Sequence, residues 1–559
     1  MRFLSLAFLL LPLTSLAQEN LTVSDFYLKQ SQGIIEMNPL DERENQLLKK
    51  ISTKEGFNQQ YLVDEDTYFS TNTDAILARS SARNLVEARK DLFRGLEFNR
   101  EEGNFKFPFP ILSQWDILPH PPIQKLMKPM QYYTKTYLPN QEYNLEMLSE
   151  KFNRELNDLT QSDLTFGNQV SPLQNRQVFI EMKKMIFEAR EYVLISNMFI
   201  TCDASVIPMV DIMEQKVKAG IPVHMIVERV FALKYSKCLK KLKSVGVNLF
   251  YNDNMLKLKK RLVYHNKFCV SDNRKAVVMG SNIFDSEINS TGFNHMFRDS
   301  GVLLSGPVVT DLALEWIGLA KFVKAKKSKK LLGDIESKIS KIRAIEKTNG
   351  LRGIDRLKEK TDLNGMCRVV LQAPHKSMTA MNDLYFKLVS AAKKSVFLST
   401  PRLPEDIDGT EEVKAAKIYK LIYEHAKNDK DFHVDIMTNN KLVSTDVKSD
   451  NFQQTGFLTT LYKLFVKMED TIAIINNVRQ YFGGVNKLDN FDVWTYLNFY
   501  HSKTLLVDNT LNAIGSYNVN KLSDDTSFEM SVVCHDKSAI EDAQKSIILD
   551  LINSVPLLE

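Results

Sequence analysis

The chain has 559 residues, 44% of them apolar and 25% charged, with a formal net charge of +5. This is the composition of a folded protein of more than one domain, and it excludes a disordered, collagen-like or low-complexity chain. The weak positive balance permits contact with anionic lipid or nucleic acid and argues for neither.

The chain opens with "MRFLSLAFLLLPLTSLAQEN". Arg2 supplies a positive n-region, residues 3–14 are apolar, and Ser15-Leu16-Ala17 offers small residues for cleavage, so residues 1–17 are expected to be a signal peptide. The alternative is an uncleaved anchor, but the run is short and contains Pro12. The mature protein is therefore expected to be exported, to a periplasm or beyond, with peripheral membrane contact at most. No later run approaches 18 consecutive apolar residues. Residues 18–170 mix polar stretches with the Pro-rich "FPFPILSQWDILPHPP" and read as a partly helical accessory region, with His120 on its surface. The five cysteines are scattered and include no CxxC pair, so no disulfide framework is expected, and Cys269 and Cys534 read as core residues.

From residue 175 the periodicity sharpens. "VFIEMKKMIFEAREYVLIS" gives a helix and a buried strand, "VIPMVDIMEQKVKAGIPVHMIVERV" gives a helix, a stop at Gly220 and a strand, and "SKCLKKLKSVGVNLFYN" repeats the scheme. The second half runs through the same order, beginning at "MNDLYFKLVSAAKKSVFLS". Helices alternating with strands make each half α/β. The expected organisation is one unit over 171–320, a Lys-rich helical linker over 321–365, and a second unit over 366–559. Residues 321–330 hold six lysines and no acid, which reads mainly as a solvated face.

Each half carries one copy of a polar triplet. "YHNKFCVSD" contains His265, Lys267 and Asp272, and "YHSKTLLVD" contains His501, Lys503 and Asp508. A chance HxKxxxxD is expected in roughly one chain in twenty of this composition, so two copies are not accidental. On a strand, residues i and i+2 face one side, which pairs each His with its Lys. Lys offers a fixed charge to a phosphate oxygen, and His can attack phosphorus or move a proton near neutral pH. Asn282 and Asn518 follow at identical offsets behind small residues that include Ser516, a set suited to close approach of a phosphate. An acid follows each copy, Asp299 in "FRDSG" and Glu529 in "SFEMS". Both are candidates for the carboxylate that orients a histidine, with Asp285 and Glu287 as competitors for the first role. Asp272 and Asp508, five positions past the lysines, read as structural. With no HExxH and no CxxC, neither a metal nor a cofactor is expected.

The doubled HxKxxxxD, each followed by a Gly/Ser-x-Asn element, resembles the phospholipase D superfamily. "FRDSGVLLSGPVV", "STPRLPED" and "GSYNVNKLSDDTSFEMSVV" resemble its bacterial cardiolipin synthase branch. The resemblance runs from about residue 175 to the end. It implies two phospholipase D-type α/β domains with pseudo-twofold symmetry and one active site at their interface, active as a monomer without metal. It further implies phosphodiester chemistry on a glycerophospholipid, with His265 as nucleophile, His501 as general acid, and Lys267, Lys503, Asn282, Asn518 and Ser516 around the phosphate. Met279 departs from the pattern, standing where the second copy has Gly515. A nuclease of the same superfamily is the alternative, with nucleic acid as partner, followed by a non-catalytic lipid- or surface-binding protein.

Overall fold

In the computed structural model the described residues are 97–99, 104–106 and 142–557, apart from 176, 204, 230–235, 254–261, 289–296, 360–361, 374–379, 405–413, 440–480, 484–485, 497–498 and 553. The expected signal peptide, the Pro-rich stretch with His120, and most of the accessory region lie outside them. From that region β1 (Glu97–Asn99) and β2 (Asn104–Lys106) form an antiparallel pair.

The remaining described chain begins with α1 (Glu150–Thr160), started by Ser149, whose hydroxyl accepts the Phe152 N–H. Its buried stripe of Phe152 and Leu156 packs, together with Met147, Leu164 and Phe166, into the core of the second half. Thr165 and Cys367 exchange both backbone hydrogen bonds. The boundary expected at residue 170 is therefore corrected: residues 144–166 complete the second half. An amphipathic stripe shows that a helix is buried but not what it is buried against.

The first half runs β3 (Gln169–Gln174), α2 (Gln177–Glu188), β4 (Val193–Ser196), α3 (Ile207–Lys218), β5 (Val223–Glu228), α4 (Ser236–Ser244), β6 (Asn248–Asn252), β7 (Val263–Tyr264), β8 (Phe268–Ser271), β9 (Lys275–Met279), α5 (Asp285–Ile288), β10 (Phe297–Arg298) and β11 (Ser300–Ser305). Its sheet has the order β3-β11-β9-β8-β4-β5-β6. β4, β5 and β6 are parallel, as helical crossovers require, and the others are antiparallel. Both faces are covered, so the strands are apolar on both sides. Along β8 and β9, Cys269, Val277 and Met279 face α2 and α3, while Phe268, Val270, Ala276 and Val278 face the opposite core.

That opposite core is built on α6 (Pro307–Thr348). The expected linker is corrected here, because its lysines belong to one helix that starts inside the first half, with a non-helical residue at Lys324. Trp316, Leu332 and Ile339 are fully buried on it, and Trp316 Nε1 donates to the Ile195 carbonyl at 2.8 Å. Lys321 and Lys324 pair with Glu336 and Asp253, and Lys327 lies over the Phe250 ring.

The second half continues with β12 (Met366–Gln372), α7 (Ala380–Ser390), β13 (Ser395–Ser399), α8 (Lys414–Asn428), β14 (His433–Asn439), β15 (Phe491–Tyr496), β16 (Phe499–Tyr500), β17 (Thr504–Val507), β18 (Leu511–Gly515), α9 (Lys521–Thr526), β19 (Ser527–His535), α10 (Lys537–Ile552) and β20 (Ser554–Pro556). The order β12-β19-β18-β17-β13-β14-β15 repeats the first sheet strand for strand, with the same directions, and β20 adds an edge. The α/β reading with two sheets is thus the observed architecture. Val302 and Leu304 of β11 share one core with Cys367, Val369, Met530 and Val532 of β12 and β19, so the sheets are joined by apolar packing.

Two disulfides correct the cysteine reading: Cys202–Cys238 joins the loop after β4 to α4, and Cys367–Cys534 bridges directly opposed residues of β12 and β19. Partners 36 and 167 residues apart carry no spacing signature. Cys269 is buried and free, as expected of a core residue.

Candidate active site

Two short pairings between the halves build the site. β7, ending one residue before His265, runs parallel to the start of β19, with Tyr264 opposite Phe528. β10, ending one residue before Asp299, runs parallel to β16, with Arg298 opposite Tyr500. The His265 N–H donates to the Phe528 carbonyl at 3.1 Å and the His501 N–H to the Arg298 carbonyl at 2.7 Å. Each histidine therefore emerges beside the acid of the other half. His265 Nδ1 lies 3.0 Å from Glu529 Oε2, and His501 Nδ1 lies 2.7 Å from Asp299 Oδ2. A carboxylate at Nδ1 fixes ring orientation and favours the tautomer with its proton there.

The lysines follow from the strand period. Lys267 Nζ donates to the His265 carbonyl at 2.9 Å, and Lys503 Nζ donates to the His501 carbonyl. Both are buried, with exposures of 1% and 0%. Burial, then the Lys503 charge, pushes the Lys267 ammonium down to about 7. Burial also lowers Lys503, against the pull of Asp299, Glu287 and Glu529. Burial followed by Lys503 pushes His501 down to about 4, and burial lowers His265, whose partner Glu529 opposes it. Burial disfavours ionised Asp299, but Lys503 and His501 outweigh it and hold its pKa below the usual carboxylate range. The cations thus share a desolvated pocket in which an incoming anion would restore their charge.

Asn282 and Asn518 each follow a strand of the β-hairpin, and each has a buried amide oxygen without a hydrogen-bond partner. Ser516 is corrected as a phosphate ligand: its hydroxyl donates to Glu529 Oε2 at 2.5 Å and accepts the Met530 N–H at 3.1 Å. Ser523 Oγ donates to Glu529 Oε1 at 2.8 Å, so two hydroxyls hold that carboxylate.

Asp272 and Asp508 sit in the hairpin turns rather than on a strand face. With their neighbours Asn273 and Asn509 they have positive φ, of 55° and 54° in the first turn and 50° and 49° in the second, a pair that type I′ turns require and Asp and Asn tolerate. Each carboxylate closes a helix-to-strand loop. Asp272 accepts the N–H groups of Arg190, Glu191 and Tyr192 at 2.7–2.9 Å. Asp508 accepts those of Lys393, Lys394 and Ser395, plus Asn144 Nδ2, over the same range.

Met279 does not narrow the pocket. Its side chain is buried in the core under α2, opposite Gly301 of β11, where an added Cβ would come within 2.9 Å of Val178 and of the Val278 carbonyl. In the second half the glycine is on the other strand, Gly515 opposite Ser531. One side chain per pair is all the space allows: a Cβ on Gly515 would meet the Met530 carbonyl at 2.0 Å.

Glu287, raised from sequence only as a competitor of Asp299, is a further member of the site. Its Oε1 lies 3.6 Å from His501 Nδ1, and its Oε2 is buried without a partner. Burial, then the Asp299 charge, raises its pKa well above the carboxylate range. The Asp285 side chain lies outside the described residues. Among the described residues Glu287, Asp299 and His501 form the one cluster of metal-ligating type, with ligand atoms within 4.8 Å of one another. Lys267 and Lys503 act on the same carboxylates, so a cation there would compete with two ammonium groups.

Residues 385–548 match the family model described as "Cardiolipin synthase, PLD-like domain". A probable cardiolipin synthase of Bacillus subtilis (strain 168) is 22% identical over 73% of this chain and 74% of its own length. Cardiolipin synthase 2 of Bacillus cereus is 23% identical over 71% of this chain and 64% of its own length. Among solved structures, phosphatidylserine synthase of Haemophilus influenzae Rd KW20 superposes with a TM-score of 0.50 at 14% identity, covering 73% of this chain and 91% of that one. That similarity is one of fold.

Proposed function

We propose that the chain is a phospholipase D-type enzyme of the cardiolipin synthase-like branch and that it transfers or hydrolyses phosphatidyl groups through a phosphohistidine, a reading supported by the family match over residues 385–548 and by the cardiolipin synthase relatives. The observation that supports this most is the crossed pairing. Two histidines, each held at Nδ1 by a buried carboxylate of the opposite half, flank two buried lysines.

In the first step the Nε2 lone pair of His265 attacks phosphorus. The bond from phosphorus to the leaving oxygen breaks, and that oxygen keeps the pair and takes a proton from His501 Nε2. In the second step an alcohol or water gives its proton to His501 Nε2 while its oxygen attacks phosphorus, and the P–N bond returns its pair to His265. Lys267, Lys503, Asn282 and Asn518 surround the phosphate oxygens. Lys267 and Lys503 offer the phosphodiester monoanion its counter-charge, and His501 carries the proton that the leaving oxygen takes. Both motifs come from one chain, which supports activity as a monomer.

No helix among the described residues is long and apolar enough to cross a membrane. Export is supported by the N-terminal leader together with two disulfides, which persist in oxidising compartments. Mass spectrometry of protein made with its leader should find an N-terminus at Gln18.

The decisive test incubates the mature protein with phosphatidylglycerol, phosphatidylcholine and plasmid DNA in parallel and identifies products. Lipid turnover with an acid-labile phosphoenzyme is expected. DNA cleavage without lipid turnover would move the assignment to the nucleases, and no turnover of either would remove it.

A further inference from the structure

We propose that Glu287 is a positioning residue of this site: with Asp299 it forms a two-carboxyl clamp on His501 Nδ1 that makes His501, rather than His265, the histidine that carries a proton to and from the reacting oxygen. The proposal rests on the reading of the site as a two-histidine phosphoryl-transfer centre.

The halves differ at two equivalent positions. Counting from Asn282 and Asn518, Glu287 stands where the second half has Ser523, and Gly280 stands where it has Ser516. Around His265 both positions supply hydroxyls, and both bond to Glu529. Around His501 neither does. A side chain on Gly280 would place its Cβ 2.2 Å from Asp299 Oδ1, so the place of one hydroxyl is closed. The other is taken by a second carboxyl, 3.6 Å from the ring nitrogen that Asp299 already holds.

Two carboxylates facing one buried imidazole are stabilised together only while the ring is cationic, and a neutral ring between them is driven to regain a proton. The groups that act on Glu287 are Asp299 after β10, His501 and Lys503 after β16, Lys267 before β8, and the backbone of Asn282. At rest one proton resides on Glu287 and His501 is neutral. When a phosphodiester enters, its negative charge draws a proton from water onto His501 Nε2, and the cationic ring in turn favours release of the Glu287 proton to water, so no net proton is taken up. The imidazolium then gives that proton to the leaving oxygen. Two carboxylates facing a neutral ring next strengthen it as the base that removes the proton of the acceptor. Glu529, held by hydroxyls that donate to it, offers His265 less negative charge, which suits a ring that must bond to phosphorus through a lone pair.

The test compares the parent with Glu287→Gln, Glu287→Ser and Glu287→Asp. Histidine Cε1 resonances are followed by NMR against pH in the presence of inorganic phosphate, with His501→Asn and His265→Asn used for assignment. Removing a carboxylate lowers the proton affinity of the ring, so Gln and Ser should each lower the His501 midpoint by about one pH unit. The alkaline limb of kcat/KM, which requires that proton, should move to lower pH by the same amount. Asp should restore both, and the His265 midpoint should stay in place. A His501 midpoint unchanged in both Gln and Ser overturns the proposal, as does a His265 shift of equal size. A His501 resonance that moves on addition of magnesium also overturns it, because the cluster would then hold a cation. If the parent turns over neither lipid nor DNA, the functional reading fails while the NMR titration still decides the role of Glu287.

Discussion

The surroundings of His265 and His501 are the same construction filled with different side chains. Each ring follows a two-residue strand paired in parallel with the other half, and each is met at Nδ1 by the acid one residue past that pairing. The backbone is repeated down to single bonds: the Met279 N–H donates to Lys267, and the Gly515 N–H to Lys503. The side chains diverge where they touch the acids, Ser516 and Ser523 on Glu529 against Gly280 and Glu287 beside Asp299. A duplicated half supplies two identical frames, while an in-line displacement needs a nucleophile on one side and a proton carrier on the other. Under the proposed mechanism the divergence lies where that division of labour would be made.

The largest effects should come from the rings themselves. His265→Ala and His501→Ala should each lower phospholipid turnover by about 10⁴-fold or more, measured by product formation. An activated aryl phosphodiester separates the roles, because its leaving group needs no proton. His501→Ala should still form phosphoenzyme from it, and His265→Ala should not. The reverse outcome would exchange the roles of the halves.

Next in size are the carboxylates. Asp299→Asn and Glu529→Gln should each cost about 10²- to 10⁴-fold in kcat, because an amide at Nδ1 no longer favours the productive tautomer. The crossed pairing makes a sharper statement. In double-mutant cycles Asp299 should couple to His501 and Glu529 to His265, whereas pairs within one half should be additive.

Below these come the turn aspartates, which bear on folding rather than chemistry. A carboxylate accepting several backbone N–H groups contributes roughly 2–4 kcal/mol. Asp508→Asn should destabilise more than Asp272→Asn in urea unfolding, because Asp508 also takes Asn144 Nδ2 and so fastens the α1 segment. Equal losses would mean that this added bond contributes nothing.

How much of this is legible in sequence depends on the range of the contact involved. His265, Lys267, His501 and Lys503 stand out because their relation is a two-residue period on one strand. The helix–strand order of each half is equally local, and the two-sheet α/β architecture follows from it. The crossed pairing is not legible, because β7 with β19 and β10 with β16 are contacts between halves that no spacing encodes. The same holds for both disulfides and for α1, whose apolar stripe is visible while its partner is not. Met279 looks like a lost glycine in one strand, and only the register against Gly301 shows that the glycine has moved across the ladder. Glu287 lies between these cases. Aligning the copies on Asn282 and Asn518 sets it against Ser523, but its significance depends on a distance to His501 that only the fold supplies.

The smallest expected effect tests that last point from the opposite side. Ser523 Oγ and Ser516 Oγ both donate to Glu529, at 2.8 Å and 2.5 Å, so losing either leaves the carboxylate one hydroxyl donor beside His265 Nδ1. Losing one neutral hydrogen bond to a buried charge costs about 1–2 kcal/mol at most, part of which the remaining hydroxyl recovers. Ser523→Ala and Ser516→Ala should therefore lower kcat by less than about tenfold each. They should act on phosphoenzyme formation, the step in which His265 attacks, and leave the alkaline limb of the pH profile where it is. Glu287→Gln should move that limb. If the serine variants moved it as well, both histidines would be sharing the proton, and the difference between the halves would be one of packing rather than of chemistry.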